Sequence, residues 1–424
     1  MQPNSKAYWD YVTILKEELV PATGCTEPIA LAYAAAKAKE VLGETPESIQ
    51  VMVSGNIIKN VKSVVVPNTG GLKGIAAAVS AGIIAGDSAK MLEVLSDLGD
   101  ADKPMIKGYM DTHDCRIIPY EGDLVFYLAV TVNTGSAYAK VVIEHYHTNI
   151  VLIEKSGAVL YQTGTDANNL RLTDRSILSV MDIVAFADMA DISDIADVIG
   201  RQISYNSAIA EDGLCGNWGA GIGKVLLDTY GTDIKVRARA LAAAGSDARM
   251  GGCEKPVIIL SGSGNQSLTA SLPVIAYAQE FCLPQDRLIR AVALADLITI
   301  HQKTSIGRLS AFCGAVSAGS AAGAGIAYLL GGDYETVAHT VVNALAIVSG
   351  MVCDGAKSSC AAKIASAVDA GIMGLCMYQK GREFLSGDGI ITKGVDNTIA
   401  NIGRMASKGM RETDREIIKI MVEC

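Results

Sequence analysis

Residues 309–332 contain no charged side chain and consist mostly of glycine, alanine and serine. The stretch is long enough for a membrane-spanning helix, but its small side chains give it only modest hydrophobicity. Small residues let helix backbones approach closely, so the pattern favours a helix buried against its neighbours. Half of all residues are apolar and only 5% are aromatic, which suits a large core of closely packed helices.

Three cysteines are set among glycines and alanines in the last third of the chain: Cys313, Cys353 and Cys360. Three thiolates are one fewer than a closed structural zinc site requires, whereas three ligands on a four-iron cluster leave one iron open to substrate. The spacing matches neither the usual ferredoxin pattern nor a zinc CxxC pair. Spacing alone therefore leaves two interpretations open, a metal cluster or small buried side chains of the core.

A fourth cysteine, Cys25, immediately precedes Thr26, which we predict to be the N-cap of a helix reaching residue 42. The amide groups at a helix N-terminus favour a thiolate and lower its pKa. Ser358 or Ser359 is predicted to cap another helix, with Cys360 in its first turn, where the same effect applies. A buried structural thiol is the alternative interpretation of Cys25.

Four segments resemble the L-cysteine desulfidases, a branch of the iron–sulfur L-serine dehydratase superfamily. They are Pro-Ala-Thr-Gly-Cys-Thr-Glu-Pro at 21–28, Ser-Asp-Ala-Arg-Met-Gly-Gly at 246–252, Ser-Gly-Ser-Gly-Asn-Gln at 261–266, and the stretch 353–360. The resemblance covers nearly the whole chain, with the motifs in the family's order. It implies a lyase that converts L-cysteine to pyruvate, ammonia and hydrogen sulfide with a [4Fe–4S] cluster.

The same resemblance implies roles for individual residues. Cys313, Cys353 and Cys360 would bind the cluster, and Cys25 would accept the substrate α-proton. Cys25 as the fourth cluster ligand is an open alternative, and the last residue, Cys424, is another candidate for that position. The remaining cysteines are interpreted as core or surface thiols.

Candidate substrate-binding residues come from polar segments beside these motifs. Arg249 is suited to a bidentate pair with the substrate carboxylate, and the amide groups of the loop 261–266 can bind a carboxylate at a helix start. Other polar residues are expected at strand ends, where site residues often lie. The predicted set is Asn56, Lys59, Asn68, Arg249, Ser263 and Asn265. His145 and His147 are interpreted as surface residues on one face of a strand.

The formal net charge of −9 argues against a nucleic-acid partner. The N-terminal residues lack the apolar core of a signal peptide, so ten cysteines indicate a reducing compartment, the cytoplasm, without disulfides. The expected partner is a small amino acid, L-cysteine, and we expect no membrane association. Small-residue helices at 74–85 and 314–331 can pack within one chain or between two copies, so a homodimer is a further expectation.

Periodicity predicts an α+β N-terminal domain over 1–165, followed by a mainly α-helical C-terminal domain over 166–424. In the first part we predict helices at 5–20, from 27 to about 42, and at 74–85, and strands at 49–53, 63–66, 124–132 and 139–145. In the second part the predicted helices are 174–187, 193–210, 219–229, 233–244, 266–281, 286–303, 306–331, 335–349 and 359–376. The short run 257–260 is expected to be extended.

Three other functions fit some of these features. An L-serine dehydratase would use the same cluster chemistry with hydroxide as the leaving group. A non-catalytic iron–sulfur sensor that binds cysteine would need the cluster ligands but no catalytic base. A pyridoxal phosphate enzyme would need a reactive lysine.

Overall fold

The computed structural model describes residues 2–163 and 172–423, with backbone alone for 422 and 423. The N-terminal region alternates helices with strands. Its helices are α1 (Lys6–Glu18), α2 (Thr26–Leu42), α3 (Gly55–Val61), α4 (Gly74–Ala85) and α5 (Asp102–Thr112). Its strands are β1 (Val20–Thr23), β2 (Ser48–Val53), β3 (Cys115–Pro119), β4 (Tyr127–Asn133), β5 (Tyr138–Glu144), β6 (Ile150–Lys155) and β7 (Ala158–Gln162).

Six of these strands form one sheet in the order β3-β2-β4-β5-β6-β7. The β2–β3 pair is parallel and the other neighbours are antiparallel. Inward-facing residues of β4 and β5, such as Val130 and Val141, are fully buried. Helix α2 covers this apolar face and packs in turn against α4. The small alanine side chains of α2 allow both contacts, which explains why nearly the whole helix is buried.

The second region is mostly helical, with one further strand. Its helices are α6 (Val180–Met189), α7 (Ile192–Cys215), α8 (Ile222–Tyr230), α9 (Ile234–Met250), α10 (Gly264–Glu280), α11 (Gln285–Ile306), α12 (Gly314–Leu329), α13 (Tyr334–Ile347), α14 (Cys360–Gln379), α15 (Val395–Arg404) and α16 (Arg411–Glu423). The strand is β8 (Pro256–Ile259), which pairs antiparallel with β1. A ladder therefore joins the two regions of the chain.

The uncharged stretch forms the centre of this helical region. Helix α12 packs against α10, α11, α13 and α14, and almost every residue in it is buried. Backbones of α12 and α14 touch: a methyl group added at Gly371 would lie 2.2 Å from the carbonyl oxygen of Gly319. Glycine is therefore required at this crossing, and the close approach places the N-termini of both helices side by side.

The predicted fold class, α+β followed by mainly helical, is confirmed. The helix at 74–85 begins and ends where predicted, whereas α2 begins at Thr26, one residue before the predicted start. The predicted strand at 63–66 is wrong, because only Val65 forms an isolated bridge, to Lys73. The helix predicted from 306 begins at Gly314 instead, because residue 307 has a φ of +94° and the chain then turns through a loop. Strands β1, β3, β6 and β7 and helices α3, α5, α15 and α16 were not predicted.

The predicted boundary at 165/166 and the candidate ligand Cys424 both lie outside the described residues, so both stay predictions. All nine cysteines that the structure describes are free. Among the described helices, α14 is the one long and apolar enough to cross a membrane, and 56% of its most apolar window is buried inside the protein. A buried core helix passes the same test, so α14 is weak evidence for a membrane span.

Candidate functional site

Four helices begin at the wall of one cavity of about 110 Å³. Cys25 is the N-cap of α2, Ser263 of α10 and Cys313 of α12, while Cys360 is the first residue of α14. Unpaired amide groups and the helix dipole give each N-terminus a partial positive charge. The cavity is therefore suited to negatively charged groups such as thiolates and carboxylates.

The β1–β8 ladder brings Cys25 to this cavity. It pairs Thr23 with Pro256, so the turn after β1 lies beside the segment that joins α9 to β8. Two hydrogen bonds attach this turn and the start of α2 to the loop before α10 and to α9. Thr26 Oγ1 donates to the carbonyl of Gly262 at 2.9 Å, and Arg249 Nε donates to the carbonyl of Gly24 at 3.0 Å.

The other three cysteines are positioned by two further contacts. The backbone N–H of Cys313 donates to the carbonyl of Met351 at 3.0 Å, and the backbone N–H of Cys353 donates to the carbonyl of Ala311 at 2.6 Å. This short ladder brings the thiols of Cys313 and Cys353 into hydrogen-bond contact. Cys360 lies at the start of α14, next to α12, and its Sγ is 3.6 Å from the carbonyl of Gly355. All three thiols line the cavity.

Gly355 sets the turn between Cys353 and Cys360. Its φ is +92°, in the left-handed region that favours glycine. A methyl group at this position would lie 2.2 Å from the carbonyl oxygen of Lys59 in α3. The turn predicted at this point is thus present, and it packs directly against the backbone of the N-terminal region.

The two paired thiols differ in proton affinity. The hydrogen bond from Cys313, which outweighs burial, together with the charge of nearby Lys59, lowers the pKa of Cys353 to about 5. The same hydrogen bond, and then burial, raise the pKa of Cys313. Burial also raises the pKa of Cys360, despite its place in the first helical turn. The lowered pKa predicted for Cys360 is therefore wrong for the metal-free chain, since desolvation exceeds the effect of the helix dipole.

Cys25 is only 3% exposed, and its Sγ lies 3.2 Å from Oε2 of Glu27. Burial, followed by the charge of Glu27, raises the pKa of Cys25 well above its usual range. The thiolate predicted for Cys25 is thus disfavoured at rest. Thr26 is the first helical residue rather than the predicted N-cap, and its hydroxyl contacts Gly262 and Glu27 instead.

Glu27 is buried yet ionised. Burial opposes its ionisation, but the proximity of His147 and the hydrogen bond from Cys25 outweigh this and lower its pKa to about 2. The separation of 3.7 Å between His147 Nε2 and Glu27 Oε1 is too long for a hydrogen bond. We therefore attribute the influence of His147 to its charge when protonated. Asn60 Nδ2 donates to Oε1 of Glu27 at 3.1 Å.

Cationic side chains surround the thiols. Lys59 and Lys303 are 1% and 6% exposed, and both line the cavity together with Arg308. Burial lowers the pKa of Lys303 to about 8. Positive charge of this kind compensates for thiolates or for an anionic cluster that the cavity holds.

The structure places four of the predicted substrate-binding residues at the cavity wall: Lys59, Arg249, Ser263 and Asn265. Arg249 Nη1 donates to Asn265 Oδ1 at 3.2 Å, so these two side chains act as one unit. Asn56 and Asn68 do not line the cavity. The amide of Asn56 binds Asp414 in α16, and that of Asn68 donates to the carbonyl of Leu95. Asn56 and Lys59 lie in helix α3, not at a strand end as predicted.

Sequence reasoning missed several residues that line the cavity: Glu27, Asn60, His147, Lys303 and Arg308. Glu27 was visible within the motif at 21–28, as an acidic residue in the first turn of a helix. His147 was predicted to be a surface residue, which is wrong, because it is 5% exposed and follows the end of β5 in a turn. No local pattern distinguishes Lys303, since its environment comes from α12 and the Cys353 loop.

The donor set fits an iron–sulfur cluster better than a single metal ion. Among the described residues, no three His, Cys, Asp or Glu side chains are arranged to hold one ion. Each thiolate of a four-iron cluster binds a different iron, so its sulfurs need to line a common cavity without converging on one point. Soft thiolates, helix N-termini and buried cations together meet the requirements of an anionic cluster.

The chain is similar throughout its length to proteins of several other organisms. A UPF0597 protein of Desulfitobacterium hafniense is 58% identical over 423 residues, covering 100% of this chain and 98% of the relative. A UPF0597 protein of Lachnoclostridium phytofermentans is 50% identical, covering 98% and 100%. A third, from Treponema denticola, is 44% identical and covers 97% of each chain.

A family model described as the serine dehydratase alpha chain matches residues 89–419. The matched part contains Arg249, the loop 261–266 and the three cysteines Cys313, Cys353 and Cys360, whereas Cys25 lies before it. The resemblance noted in the sequence is thereby confirmed at the level of the superfamily. This chain belongs to the serine dehydratase alpha-chain family.

Proposed function

We propose that this protein is an iron–sulfur-dependent carbon–sulfur lyase that converts L-cysteine to pyruvate, ammonia and hydrogen sulfide. The observation that carries the proposal is the meeting of Cys25 with Cys313, Cys353 and Cys360 at one small cavity. Three thiols are suited to holding a cluster, and the fourth belongs to a different helix. A site with three ligands and a separate acid–base group is typical of a catalyst rather than of a structural centre.

Cys313, Cys353 and Cys360 would hold a [4Fe–4S] cluster in this cavity. When bound, the cluster supplies a Lewis-acidic iron that stabilises the departing sulfide. The remaining chemistry falls to side chains of the chain itself.

Arg249 and Asn265 orient the substrate carboxylate, supported by the amide groups at the start of α10. Cys25 takes the α-proton as its thiolate, while the Cα–H electron pair forms the new carbon–carbon double bond and sulfide leaves from Cβ. The resulting enamine tautomerises and is hydrolysed by water to pyruvate and ammonia. The substrate ammonium group brings positive charge to the cavity, which favours the Cys25 thiolate during turnover.

L-serine is the second candidate substrate, because the matching family model is that of the serine dehydratase alpha chain. The two reactions differ in whether sulfide or hydroxide leaves. Cys25 in the motif at 21–28 favours the sulfur substrate. The free thiols fit a reducing compartment such as the cytoplasm.

The first test is the iron and acid-labile sulfide content of protein purified without oxygen. We expect about four of each per chain, and their loss in Cys313→Ala, Cys353→Ala and Cys360→Ala. Cys376→Ala is the matched control, since Cys376 lies in the same helix as Cys360 but does not line the cavity. Protein without iron would contradict the cluster, and a lysine adduct trapped by borohydride would then support a pyridoxal enzyme.

The second test measures pyruvate released from L-cysteine and from L-serine by the iron-containing protein. A kcat/KM at least 10-fold higher for L-cysteine supports the desulfidase, and the reverse order supports the dehydratase. Iron-containing protein that binds L-cysteine without turnover would instead identify a sensor.

A further inference from the structure

His147 lies between two cavities. It lines the inner cavity of about 110 Å³ beside Cys25, and it also lines a neighbouring cavity of about 510 Å³. Gly262 and Arg308 border both as well. The larger cavity reaches the surface, since Met91 in its wall is 54% exposed. Cys25 lines only the inner of these two cavities.

The imidazole of His147 is held in place but not fully engaged. Its ring meets Phe126 edge-on, with centroids 4.7 Å apart and an interplanar angle of 71°. Its Nε2 is buried and has no hydrogen-bond partner among the described residues. A buried ring nitrogen without a partner is costly in a purely structural histidine.

Glu27 connects this nitrogen to Cys25. Oε2 of Glu27 lies 3.2 Å from Cys25 Sγ, and Oε1 lies 3.7 Å from His147 Nε2. Asn60 donates to the same carboxylate and fixes its orientation. Three titratable groups thus form a continuous line from the inner cavity to the wall of the larger one.

We propose that Glu27 and His147 form a proton relay that carries the proton of Cys25 to water in the larger cavity. The inference rests on the proposed function, in which Cys25 takes the α-proton. The Cys25 thiol gives its proton to Oε2 of Glu27 and becomes a thiolate. The Glu27 and His147 side chains then close from 3.7 Å to hydrogen-bond distance, and Glu27 passes the proton to Nε2 of His147. The ring becomes imidazolium and then releases a proton to water. Each turnover leaves all three groups as they began.

The relay answers a difficulty in the chemistry of Cys25. Its thiol is fully buried beside a carboxylate, so it holds its proton and cannot act as a base unless an acceptor removes that proton. Oε2 of Glu27 contacts Cys25, whereas Oε1 lies 3.7 Å from Nε2 of His147. A proton that Glu27 takes from Cys25 can therefore leave toward the imidazole ring.

The test compares His147→Gln with His145→Asn in the iron-containing protein. Glutamine retains a hydrogen-bonding side chain but cannot carry a proton. His145 lies two residues away, lines neither cavity and has a φ of +64°, which asparagine tolerates. We expect kcat to fall about 100-fold in H147Q, with KM within about threefold, and added imidazole to restore part of kcat in a pH-dependent manner.

An H147Q enzyme with kcat within twofold of H145N would overturn the relay. So would a fall in kcat that imidazole leaves unchanged at every pH, since a purely structural role for His147 predicts that result.

A second measurement separates failure of the relay from failure of the lyase. Iron-free protein is treated with iodoacetamide at a fixed pH, and modification of Cys25 is followed by peptide mass spectrometry. The relay predicts that alkylation of Cys25 is about 10-fold slower in H147Q than in H145N, because the acceptor of its proton is gone. Equal rates overturn the relay. Slower alkylation in a protein without lyase activity supports the relay and rejects the proposed function alone.

Discussion

Lys59 and Asp414 form an ion pair between residues 355 positions apart in the chain, with Nζ 2.6 Å from Oδ1. Lys59 lines the cavity and is only 1% exposed, while Asp414 is 15% exposed in helix α16. The amide of Asn56 donates to the other carboxylate oxygen at 3.0 Å. The C-terminal helix is thus attached to α3 directly behind the site.

Asp414→Asn is expected to destabilise the protein by about 3 kcal/mol, because it leaves the buried ammonium group of Lys59 without its counter-charge. Urea unfolding of the iron-free protein measures this. Glu412→Gln is the matched control in the same helix, where an exposed pair with Arg415 is worth less than about 1 kcal/mol. Equal effects of the two substitutions would show that Lys59 does not depend on Asp414.

Gly355→Ala is expected to lower the free energy of unfolding by about 2 kcal/mol and to reduce iron content. The new methyl group would overlap the carbonyl oxygen of Lys59, and the φ of +92° is unfavourable for alanine. Gly350→Ala tests the same loop without the clash, since nothing lies within 4 Å of its added methyl group. Wild-type iron content in both variants would argue that the turn does not position Cys353 and Cys360.

Cys25→Ser is expected to lower kcat at least 100-fold, because a serine hydroxyl is a far weaker base than a thiolate at neutral pH. The iron content and visible absorption of the protein should stay at wild-type values. Cys115→Ser, in strand β3 and away from the cavity, serves as the control. Loss of iron in Cys25→Ser would instead identify Cys25 as a cluster ligand.

The stability of the protein should depend on pH through Asp296, a fully buried residue of α11. Burial raises its pKa from 3.8 to about 8, although Gln202 donates a hydrogen bond to it. The folded state therefore keeps a proton between about pH 4 and pH 8 that the unfolded state releases. This component of the free energy of unfolding falls as pH rises, by up to about 1.4 kcal/mol per pH unit.

Asp296→Asn removes that component. The free energy of unfolding of the variant, relative to that of the wild type, should therefore rise from pH 5 to pH 8. Thermal unfolding at both values measures the difference. Asp286→Asn, at an exposed position of the same helix, should show no such trend. A constant difference between Asp296→Asn and the wild type would contradict a buried, protonated Asp296.

Much of the secondary structure follows from local sequence. The alanine-rich patterns predicted the helix at 74–85 to the residue and α2 to within one residue at its start. The cysteine and glycine motifs identified the segments that surround the cavity. The predictions for 63–66 and for residues 306–313 failed where a turn interrupts an apolar pattern. Periodicity reports which face of an element is buried, but it does not report where a residue of positive φ such as Gly307 ends a helix.

The site shows the same division between sequence and structure. The sequence by itself determined the soft-ligand chemistry of Cys313, Cys353 and Cys360 and placed Cys25 at a helix N-terminus. The tertiary structure alone decided that Glu27 faces His147 and that Cys25 shares one cavity with the other three cysteines, because the β1–β8 ladder and the turn after β5 join segments far apart in the chain. It also decided the proton affinities, since the pKa of a thiol depends on burial and neighbouring charge, and both arise only when the chain has folded.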